Sequence, residues 1–187
     1  MRDLTNVVQS DISIGNLMMN EDESNPSWPS FLIDFDLGIR QDRDKPSGAP
    51  KKTGTRAFMA IGALYGEKHS FMHDLESFFW VLFWVCVHYN GPDKGGRVVP
   101  RFEKWNYVDT EELAELKKGT VAHEGDFIKT LEENFTSYYR SLIPWTNRLR
   151  KVTFPNGGRW EKEDGGLYSR IREILLEATK DASVRGG

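Results

Sequence analysis

The stretch MHDLESFFWVLFW, Met72–Trp84, decides the fold of this chain. It begins with charged and polar residues and continues into the unbroken apolar segment Phe78–Val87, which predicts a helix that is apolar on every side. Crossing a membrane takes about 20 apolar residues, so this segment is too short to span one. We therefore predict a buried central helix, starting near Phe71 and ending at the turn residues 90–92, with other helices packed around it.

Length and composition favour a single globular domain over residues 1–187. The chain has 187 residues, of which 39% are hydrophobic and 12% aromatic, enough for one substantial core. Its net charge of −3 and scattered lysines and arginines argue against nucleic acid as a partner. The N-terminus lacks the apolar core of a secretory signal, and Cys86 is the only cysteine, so no disulfide framework can form within the chain. We expect an intracellular protein, in the cytoplasm or nucleus, without membrane contact.

Before the central helix, the sequence predicts short strands and loops. The apolar runs Asn16–Met19 and Phe31–Phe35 are separated by NEDESNPSWPS, whose composition is that of a loop, so they predict a small β-hairpin. Residues 37–53 are polar and basic and contain glycines and prolines. That composition predicts an irregular, mobile segment.

After the central helix, the sequence predicts further helices. Asp109 followed by Glu112 has the pattern of a helix start, and apolar residues then recur at helical spacing until Pro144, which we expect to stop the helix. A second apolar stripe predicts a last helix. Both stripes are interpreted as core, because amphipathic helices commonly bury one face. The first stripe contains Phe127, Leu131, Phe135, Tyr138 and Leu142, and the second contains Leu167, Ile171, Ile174, Leu175 and Ala178.

Three polar residues have the types that phosphoryl transfer requires. In that reaction the protein positions the reactants and neutralises charge, which takes an acid near the attacking hydroxyl and oxygen ligands for Mg²⁺. Asp11 and Asn16 are five residues apart across a loop that contains Gly15, so the carboxylate can face the hydroxyl and the amide oxygen the metal. Asp34 ends an apolar strand and would be a second metal ligand, because Mg²⁺ prefers hard oxygen donors. Each feature alone is weak, since an aspartate after a strand is usually a turn residue.

Four short motifs follow one another along the chain: DISIGN at Asp11–Asn16, LIDFDLGIR at Leu32–Arg40, TGTRAFMAI at Thr53–Ile61 and HDLESFFWVLFW at His73–Trp84. Taken in that order, they resemble the fungal-type protein kinase family, a branch of the eukaryotic protein kinases. The resemblance covers most of the stretch from about Val8 to Tyr89. It implies a mainly α fold with a short β-hairpin, that is, a protein kinase-like C-lobe lacking the N-lobe. It further implies ATP and Mg²⁺ as cofactors and the phosphorylation of serine or threonine in proteins.

The resemblance also implies roles for individual residues. Residues 1–36 would form the catalytic loop and metal segment, residues 37–62 the activation and docking segment, and residues 63–182 a helical subdomain. Asp11 would be the catalytic base, and Asn16 and Asp34 would bind Mg²⁺ and through it the nucleotide. Thr55 would hydrogen-bond toward Asp11 and help to form the substrate-docking platform. Asp74 would accept hydrogen bonds from backbone amides of the catalytic loop, although a carboxylate is also favoured in any first helical turn.

Three sites depart from the kinase pattern. The triplet at residues 9–11 reads Gln-Ser-Asp where kinases have His-Arg-Asp, so the arginine that would pair with a phosphorylated activation segment is missing. Asp36 replaces the glycine after Asp-Phe and adds a second carboxylate close to Asp34. Gly62 replaces a glutamate that forms an ion pair with a later arginine, which predicts local looseness because a broken buried pair is costly.

The ten residues before Asp11 contain neither a glycine-rich loop nor a lysine that could hold phosphates. Losing one preorganised charge-stabilising contact costs about 3–4 kcal/mol in the transition state, so we expect this chain alone to be inactive. Turnover would need an N-lobe from a longer parent chain or from another protein.

Three functions follow as hypotheses, since a fold does not certify an activity. The first is a fragment of a protein serine/threonine kinase, and the second is a pseudokinase-like module that binds other proteins. The third and weakest is a small-molecule phosphotransferase of the same superfamily. The peptide-docking segment Gly54–Gly62 argues against the third, because such enzymes do not need it.

Overall fold

A computed structural model describes residues 7–22, 24, 28–36, 38–40, 55–92 and 94–185. The chain divides into two compact units, Met1–Val81 and Leu82–Gly187. The single domain expected over 1–187 stays a prediction, and each unit is described by itself below. The fold class is confirmed, since the chain is mainly helical and contains a two-stranded antiparallel hairpin.

The first unit contains four short strands in two antiparallel pairs. Strand β2 (Leu17–Met19) pairs with β3 (Ser30–Leu32), with Leu17 opposite Leu32, so the predicted hairpin is confirmed. Strand β1 (Val7–Val8) pairs with β4 (Ile39–Arg40). The expectation of irregular structure throughout residues 37–53 is therefore wrong at β4, where a distant strand supplies hydrogen-bonding partners that local composition does not reveal. Residues 41–54 lie outside the described residues.

Short helical turns follow the strands and lead into the central helix. The turns are 3₁₀ helices at Ile14–Asn16 and Arg56–Phe58, and helix α1 is Ile61–Leu64. Helix α2, Phe71–His88, is the predicted central helix and runs from the first unit into the second. Trp80 is fully buried, as the apolar pattern predicts. The buried apolar side chains of the first unit include Ile12, Phe58, Ile61, Met72, Phe79 and Trp80.

The predicted turn after α2 requires a glycine. Gly91 has φ of +117°, in the region that favours glycine. A Cβ atom at this position would also lie 3.1 Å from the ring of Tyr138, so both backbone conformation and space restrict the position. The chain thus turns at Gly91, three residues after the helix ends at His88.

The second unit is helical over its described residues. Asp109 caps α4, because its side chain accepts a hydrogen bond from Glu112 N at 2.8 Å, which confirms the predicted helix start. Three further 3₁₀ helices connect the α-helices. The α-helices are α3 (Pro100–Glu103), α4 (Thr110–Val121), α5 (Glu124–Asn134), α6 (Ile143–Thr153), α7 (Leu167–Ala178) and α8 (Ala182–Arg185), and the 3₁₀ helices are Lys104–Asn106, Ser137–Leu142 and Pro155–Gly157.

The prediction that Pro144 stops a helix is wrong. Helix α5 already ends at Asn134, and Tyr138 and Leu142 belong to a 3₁₀ helix. Pro144 instead lies in the first turn of α6. Proline is tolerated there because a first-turn N–H has no partner within the helix. The pattern of apolar residues continued across two elements of different geometry, so it did not reveal the boundary between them.

Aromatic side chains form the centre of the second unit, as the core interpretation expects. The ring of Phe83 lies 5.0 Å from Phe102, 5.9 Å from Trp105 and 6.4 Å from Phe127, measured between centroids. Helix α7 buries its predicted stripe with one exception, because Leu175 is 44% exposed. Across the described residues, no helix has the length and hydropathy needed to cross a membrane. Cys86 is buried and unpaired, and burial raises the pKa of its thiol well above the ordinary value.

Candidate active site

The loop that carries Asp11 is held by a single carboxylate on helix α2. Gln9 N donates to Asp74 Oδ2 at 2.7 Å, and Ser10 N donates to Asp74 Oδ1 at 3.1 Å. Ser10 has a φ of 69°, which is uncommon for a residue other than glycine, and its bond to Asp74 supports that conformation. His69 Nε2 also lies 2.8 Å from Asp74 Oδ1. Two consecutive loop amides are therefore fixed to both oxygens of one side chain.

Thr55 is close to Asp11, 44 residues away along the chain. Asp11 Oδ1 accepts hydrogen bonds from Thr55 N at 2.8 Å and from Thr55 Oγ1 at 3.2 Å. Asp11 Oδ2 forms no hydrogen bond with any described residue. One carboxylate oxygen is thus held by the docking segment, and the other is left for a further partner.

Asn16 closes the loop from its other end. Its side-chain Nδ2 donates to Asp11 O at 2.9 Å, and its backbone N donates to Ser13 O at 3.1 Å. The amide group is therefore oriented by its nitrogen. Its oxygen, the atom that a hard cation would bind, takes no part in either contact.

Asp34 lies at the same end of the β2–β3 hairpin as Asn16. Ile33 N donates to Asn16 O at 3.0 Å, which places Asp34 one residue beyond that pair. Asp34 has a φ of 58°, and its side chain is exposed and forms no hydrogen bond or ion pair with the described residues. The structure therefore brings an amide and a carboxylate to one edge of the hairpin.

These donors fit a magnesium ion that takes few ligands from the protein. Mg²⁺ is commonly held by one or two protein oxygens, with water and substrate phosphates completing its octahedron. Asn16 and Asp34 supply one oxygen donor each. No cluster of three or more His, Cys, Asp or Glu side chains that could hold a metal occurs among the described residues. A metal held here would therefore depend on ligands from a bound nucleotide.

Asp36 does not occupy a position that needs glycine. Its φ is not positive, whereas the φ of Asp34 is, so the left-handed residue of this segment is two positions earlier. Asp36 lies within a turn that Gly38 N closes by donating to Phe35 O at 2.8 Å. The replacement of glycine by aspartate at this position causes no backbone strain.

Gln9 connects the loop to the metal segment, a contact that the sequence did not predict. Its Nε2 donates to Ile33 O at 3.2 Å and to Asp34 O at 3.0 Å. Its Oε1 accepts from Asp11 N at 2.8 Å. Gln9 is only 2% exposed, and a polar residue directly after the apolar pair of β1 was the only sequence signal for a buried polar contact.

Glu76 fixes the end of the docking segment in a similar way. Its Oε1 accepts hydrogen bonds from Ile61 N at 2.8 Å and from Trp80 Nε1 at 3.0 Å, and the side chain is fully buried. Asp74 and Glu76, two residues apart on α2, therefore hold the catalytic loop and the docking segment respectively. The sequence contained both residues in its DLES motif, but only Asp74 was assigned a role.

The space beside Gly62 is filled by side chains from elsewhere in the first unit. A Cβ atom on Gly62 would lie 2.3 Å from Glu67 Oε2 and 2.6 Å from His73 Nε2, so no larger residue fits without rearrangement. His73 Nδ1 accepts from Ser70 N at 3.1 Å, which assigns the ring proton to Nε2, 3.5 Å from Glu67. Burial, followed by the charge of nearby His69, lowers the pKa of His73 to about 4, so its ring is neutral at pH 7. A Glu67–His73 pair occupies the space where looseness was expected.

The match to a known family covers this site. Residues 2–86 match the family model described as Fungal protein kinase. The matched stretch includes Asp11, Asn16, Asp34, Thr55 and Asp74. A comparison with curated proteins found no match to the chain.

Proposed function

We propose that residues 2–86, which match the fungal protein kinase family model, supply the catalytic-loop half of a protein serine/threonine kinase. The reaction would transfer the γ-phosphoryl group of ATP to a hydroxyl of a protein substrate. One observation carries the proposal: Asp11 has one carboxylate oxygen held by Thr55 and no described contact to the other. A catalytic carboxylate needs this combination of fixed orientation and an accessible oxygen.

In this proposal Asp11 orients the attacking hydroxyl and accepts its proton. Oδ1 is fixed by two hydrogen bonds from Thr55, so Oδ2 is the atom that faces the substrate. Positioning of this kind contributes much of the rate in phosphoryl transfer, because the protein takes little part in the covalent chemistry.

Asn16 and Asp34 would hold Mg²⁺ together with the phosphates of ATP. The bound ion supplies charge neutralisation on the transferring phosphoryl group. The bond from Asn16 Nδ2 to Asp11 O orients the amide oxygen and ties the ligand to the catalytic loop. Asp34 contributes a carboxylate that no described residue neutralises.

Thr55 links substrate docking to catalysis in this scheme. It immediately precedes the 3₁₀ helix Arg56–Phe58, and Glu76 holds the end of the same segment through Ile61 N. A peptide bound along this segment would place its hydroxyl near Asp11. The docking segment is therefore the feature that favours a peptide substrate over a small-molecule substrate.

The proposed reaction requires a nucleotide-binding lobe in addition to the residues described here. A longer parent chain or a second protein would supply the groups that hold the α- and β-phosphates. In this proposal the reaction takes place inside the cell, which the use of ATP and the single, unpaired Cys86 support. The partners of the chain in this proposal are thus that lobe and a protein substrate.

The test is Mg²⁺-dependent ATP binding to the 187-residue chain, measured by calorimetry. Asp34→Asn removes a proposed metal ligand, and Asp36→Asn removes the same charge two residues away. We expect Asp34→Asn to abolish metal-dependent binding and Asp36→Asn to retain most of it. Equal losses in both variants would show that only general charge matters. If the unaltered chain binds no ATP, autonomous nucleotide binding is excluded, and the chain has to be tested with an added N-lobe.

The alternative function is a pseudokinase-like module that binds other proteins without catalysis. Ser10 favours it, because the serine cannot pair with a phosphorylated activation segment as arginine would. A chain that binds neither ATP nor Mg²⁺, even when an N-lobe is supplied, would support this alternative.

A further inference from the structure

We propose that Gln9 is a positioning residue that fixes the catalytic loop against the metal segment and thereby sets the placement of Asp11 relative to Asp34. The proposal rests on the function proposed above, because it concerns the alignment of the same base and metal ligand. It assigns a new role to a position that the sequence presented only as a departure from the kinase pattern.

The carboxamide of Gln9 uses both of its N–H donors and its oxygen on these two segments. Both Nε2 hydrogens have acceptors, Ile33 O at 3.2 Å and Asp34 O at 3.0 Å. Oε1 accepts the backbone N–H of Asp11 at 2.8 Å. One side chain therefore binds the backbone of the proposed base and the backbone of the proposed metal ligand.

The orientation of this amide is determined by its partners. Exchanging the oxygen and nitrogen would point Oε1 at two carbonyl oxygens and Nε2 at an N–H, which is unfavourable at all three contacts. The side chain is 2% exposed, so water cannot readily replace these partners. The backbone N–H of Gln9 is held independently by Asp74, which keeps the side chain in place.

A carboxamide suits this position because it donates two hydrogens, accepts one and does not titrate. A histidine would offer a single ring N–H to the two carbonyls and would change charge near neutral pH. A glutamate would direct a carboxylate at both carbonyls of the metal segment. Gln9 therefore adds no titratable group to the link between Asp11 and Asp34.

The backbone conformation of Asp34 makes this link important. Asp34 has a φ of 58°, a left-handed conformation that is uncommon for residues other than glycine, although aspartate adopts it more readily than most. Gln9 binds the carbonyl of this same residue, and Ile33 N is bound by Asn16 O. Loss of the Gln9 contact would allow Asp34 to relax toward the commoner extended region and would move its carboxylate.

The test compares Gln9→Glu with Gln9→His and with the control Ser13→Ala. Ser13 is also buried in this loop, and its side chain has no part in the contacts between loop and metal segment. Two quantities are measured from pH 5 to pH 8: the NMR signals of the Asp11 and Asp34 amides, and the affinity for Mg²⁺-ATP. Near-ultraviolet circular dichroism confirms that each variant is folded.

For Gln9→Glu we expect both amide signals to shift at pH 8 and to return partly at pH 5, where a protonated carboxyl can donate one hydrogen bond. Mg²⁺-ATP affinity should fall at least tenfold at pH 8 and recover in the same pH range. Gln9→His should shift both amide signals less than Gln9→Glu does. If Gln9→Glu does not fold, the shifts in Gln9→His decide whether residue 9 links the two segments. Ser13→Ala should leave the Asp34 signal unchanged at every pH.

The inference is overturned if Gln9→Glu or Gln9→His shifts the Asp11 signal without the Asp34 signal, because the two segments are then not linked through residue 9. It is also overturned if both signals shift while Mg²⁺-ATP affinity stays constant. If the unaltered chain binds no Mg²⁺-ATP, the proposed function of the isolated chain fails, whereas the NMR signals still decide whether Gln9 links the two segments.

Discussion

Different interactions hold two regions of the molecule. They are the catalytic-loop region, residues 7–36, and the helical region, residues 94–185. Strands in the first region are only two or three residues long, and the loop is fixed by Asp74, which lies 64 and 65 residues away from its two backbone donors. Helices α4 to α7 of the second region are 11 or 12 residues long and bury apolar faces. The first region therefore depends on a few polar contacts, and the second on packed volume.

This difference predicts opposite sensitivities to mutation. A short strand pair gains little from packing, so removal of one carboxylate should release the catalytic loop. An aromatic core is close-packed, so it should tolerate the loss of a polar surface group but respond strongly to a cavity. The variants below test this contrast, in order of decreasing expected effect.

The largest effect is expected for Trp105→Ala in the helical region. Trp105 is 2% exposed, its ring stacks on Phe83 at 5.9 Å, and Lys117 Nζ lies 5.5 Å from its centroid. Truncation should lower the free energy of unfolding by about 3–5 kcal/mol, because it leaves a cavity and removes the ring from a buried lysine. Urea denaturation followed by circular dichroism measures the loss. The control Tyr107→Ala removes an exposed ring and should change stability by no more than about 0.5 kcal/mol.

If Trp105→Ala lowered the free energy of unfolding by less than about 1 kcal/mol, the helical region would not depend on packed volume. The proposed contrast between the two regions would then be wrong for the helical region.

Asp74→Asn should have the largest effect within the catalytic-loop region. An asparagine has one acceptor oxygen, so its amide nitrogen would face one of the two loop N–H groups that the carboxylate now binds. Hydrogen bonds to a charged group contribute about 1.5–3 kcal/mol each, and we expect a loss of about 3 kcal/mol in local stability. Amide hydrogen exchange at Gln9 and Ser10 measures it directly.

The control for this variant is Asp22→Asn, which changes an exposed carboxylate whose bonds within the described residues are to nearby Ser24. It should leave exchange at Gln9 and Ser10 unchanged. Continued protection of both amides in Asp74→Asn would mean that the loop is fixed by contacts other than this carboxylate.

The sequence predicted elements that carry a local signal and missed those that depend on distant partners. The apolar run of α2 and the pairing of β2 with β3 both follow from patterns within a few residues. The pairing of Val8 with Ile39 has no such pattern, because each strand is two residues long. Pro144 is compatible with either a helix end or a helix start, and only the surrounding structure distinguishes them.

The residues of the candidate site likewise divide into those that the sequence predicted and those that it missed. Motif order indicated which residues to consider, Asp11, Asn16, Asp34, Thr55 and Asp74, because residue types and spacing are visible in the sequence. The bridge by Gln9 was not predicted, since it depends on carbonyl groups 24 and 25 residues away, and backbone carbonyls have no sequence signature. The Glu67 carboxylate beside Gly62 was missed because a glycine at one position does not reveal which neighbouring side chain fills the space beside it.

A pH-dependent contribution to stability is expected from His73. Burial lowers its pKa to about 4 in the folded chain, while an unfolded histidine keeps a value near 6.5, so between these values only the unfolded chain binds the proton. The stability from His73 is therefore complete above about pH 6.5 and is lost as the pH falls toward 4. We expect a loss of about 3 kcal/mol in the free energy of unfolding between pH 7 and pH 4, measured by urea denaturation.

The charges of His69, Glu67 and Asp74 act on the pKa of His73, so the measurement needs a variant to isolate the effect. His73→Gln should flatten the pH dependence over this range. His123→Gln should retain it, because His123 is 75% exposed. The same slope in His73→Gln as in the unaltered chain would assign the effect to another group.

The smallest effect is expected for Asp109→Ala at the start of α4. The Asp109 side chain accepts the Glu112 N–H at 2.8 Å, and loss of such a cap typically costs about 1 kcal/mol. Asp109→Asn should restore most of the stability, because its side-chain oxygen can accept the same bond. The cost is modest since α4 is also held by buried Leu113 and Val121, whereas Asp74 holds two consecutive amides of the catalytic loop at once. A loss for Asp109→Ala as large as that for Asp74→Asn would show that polar anchoring matters equally in both regions.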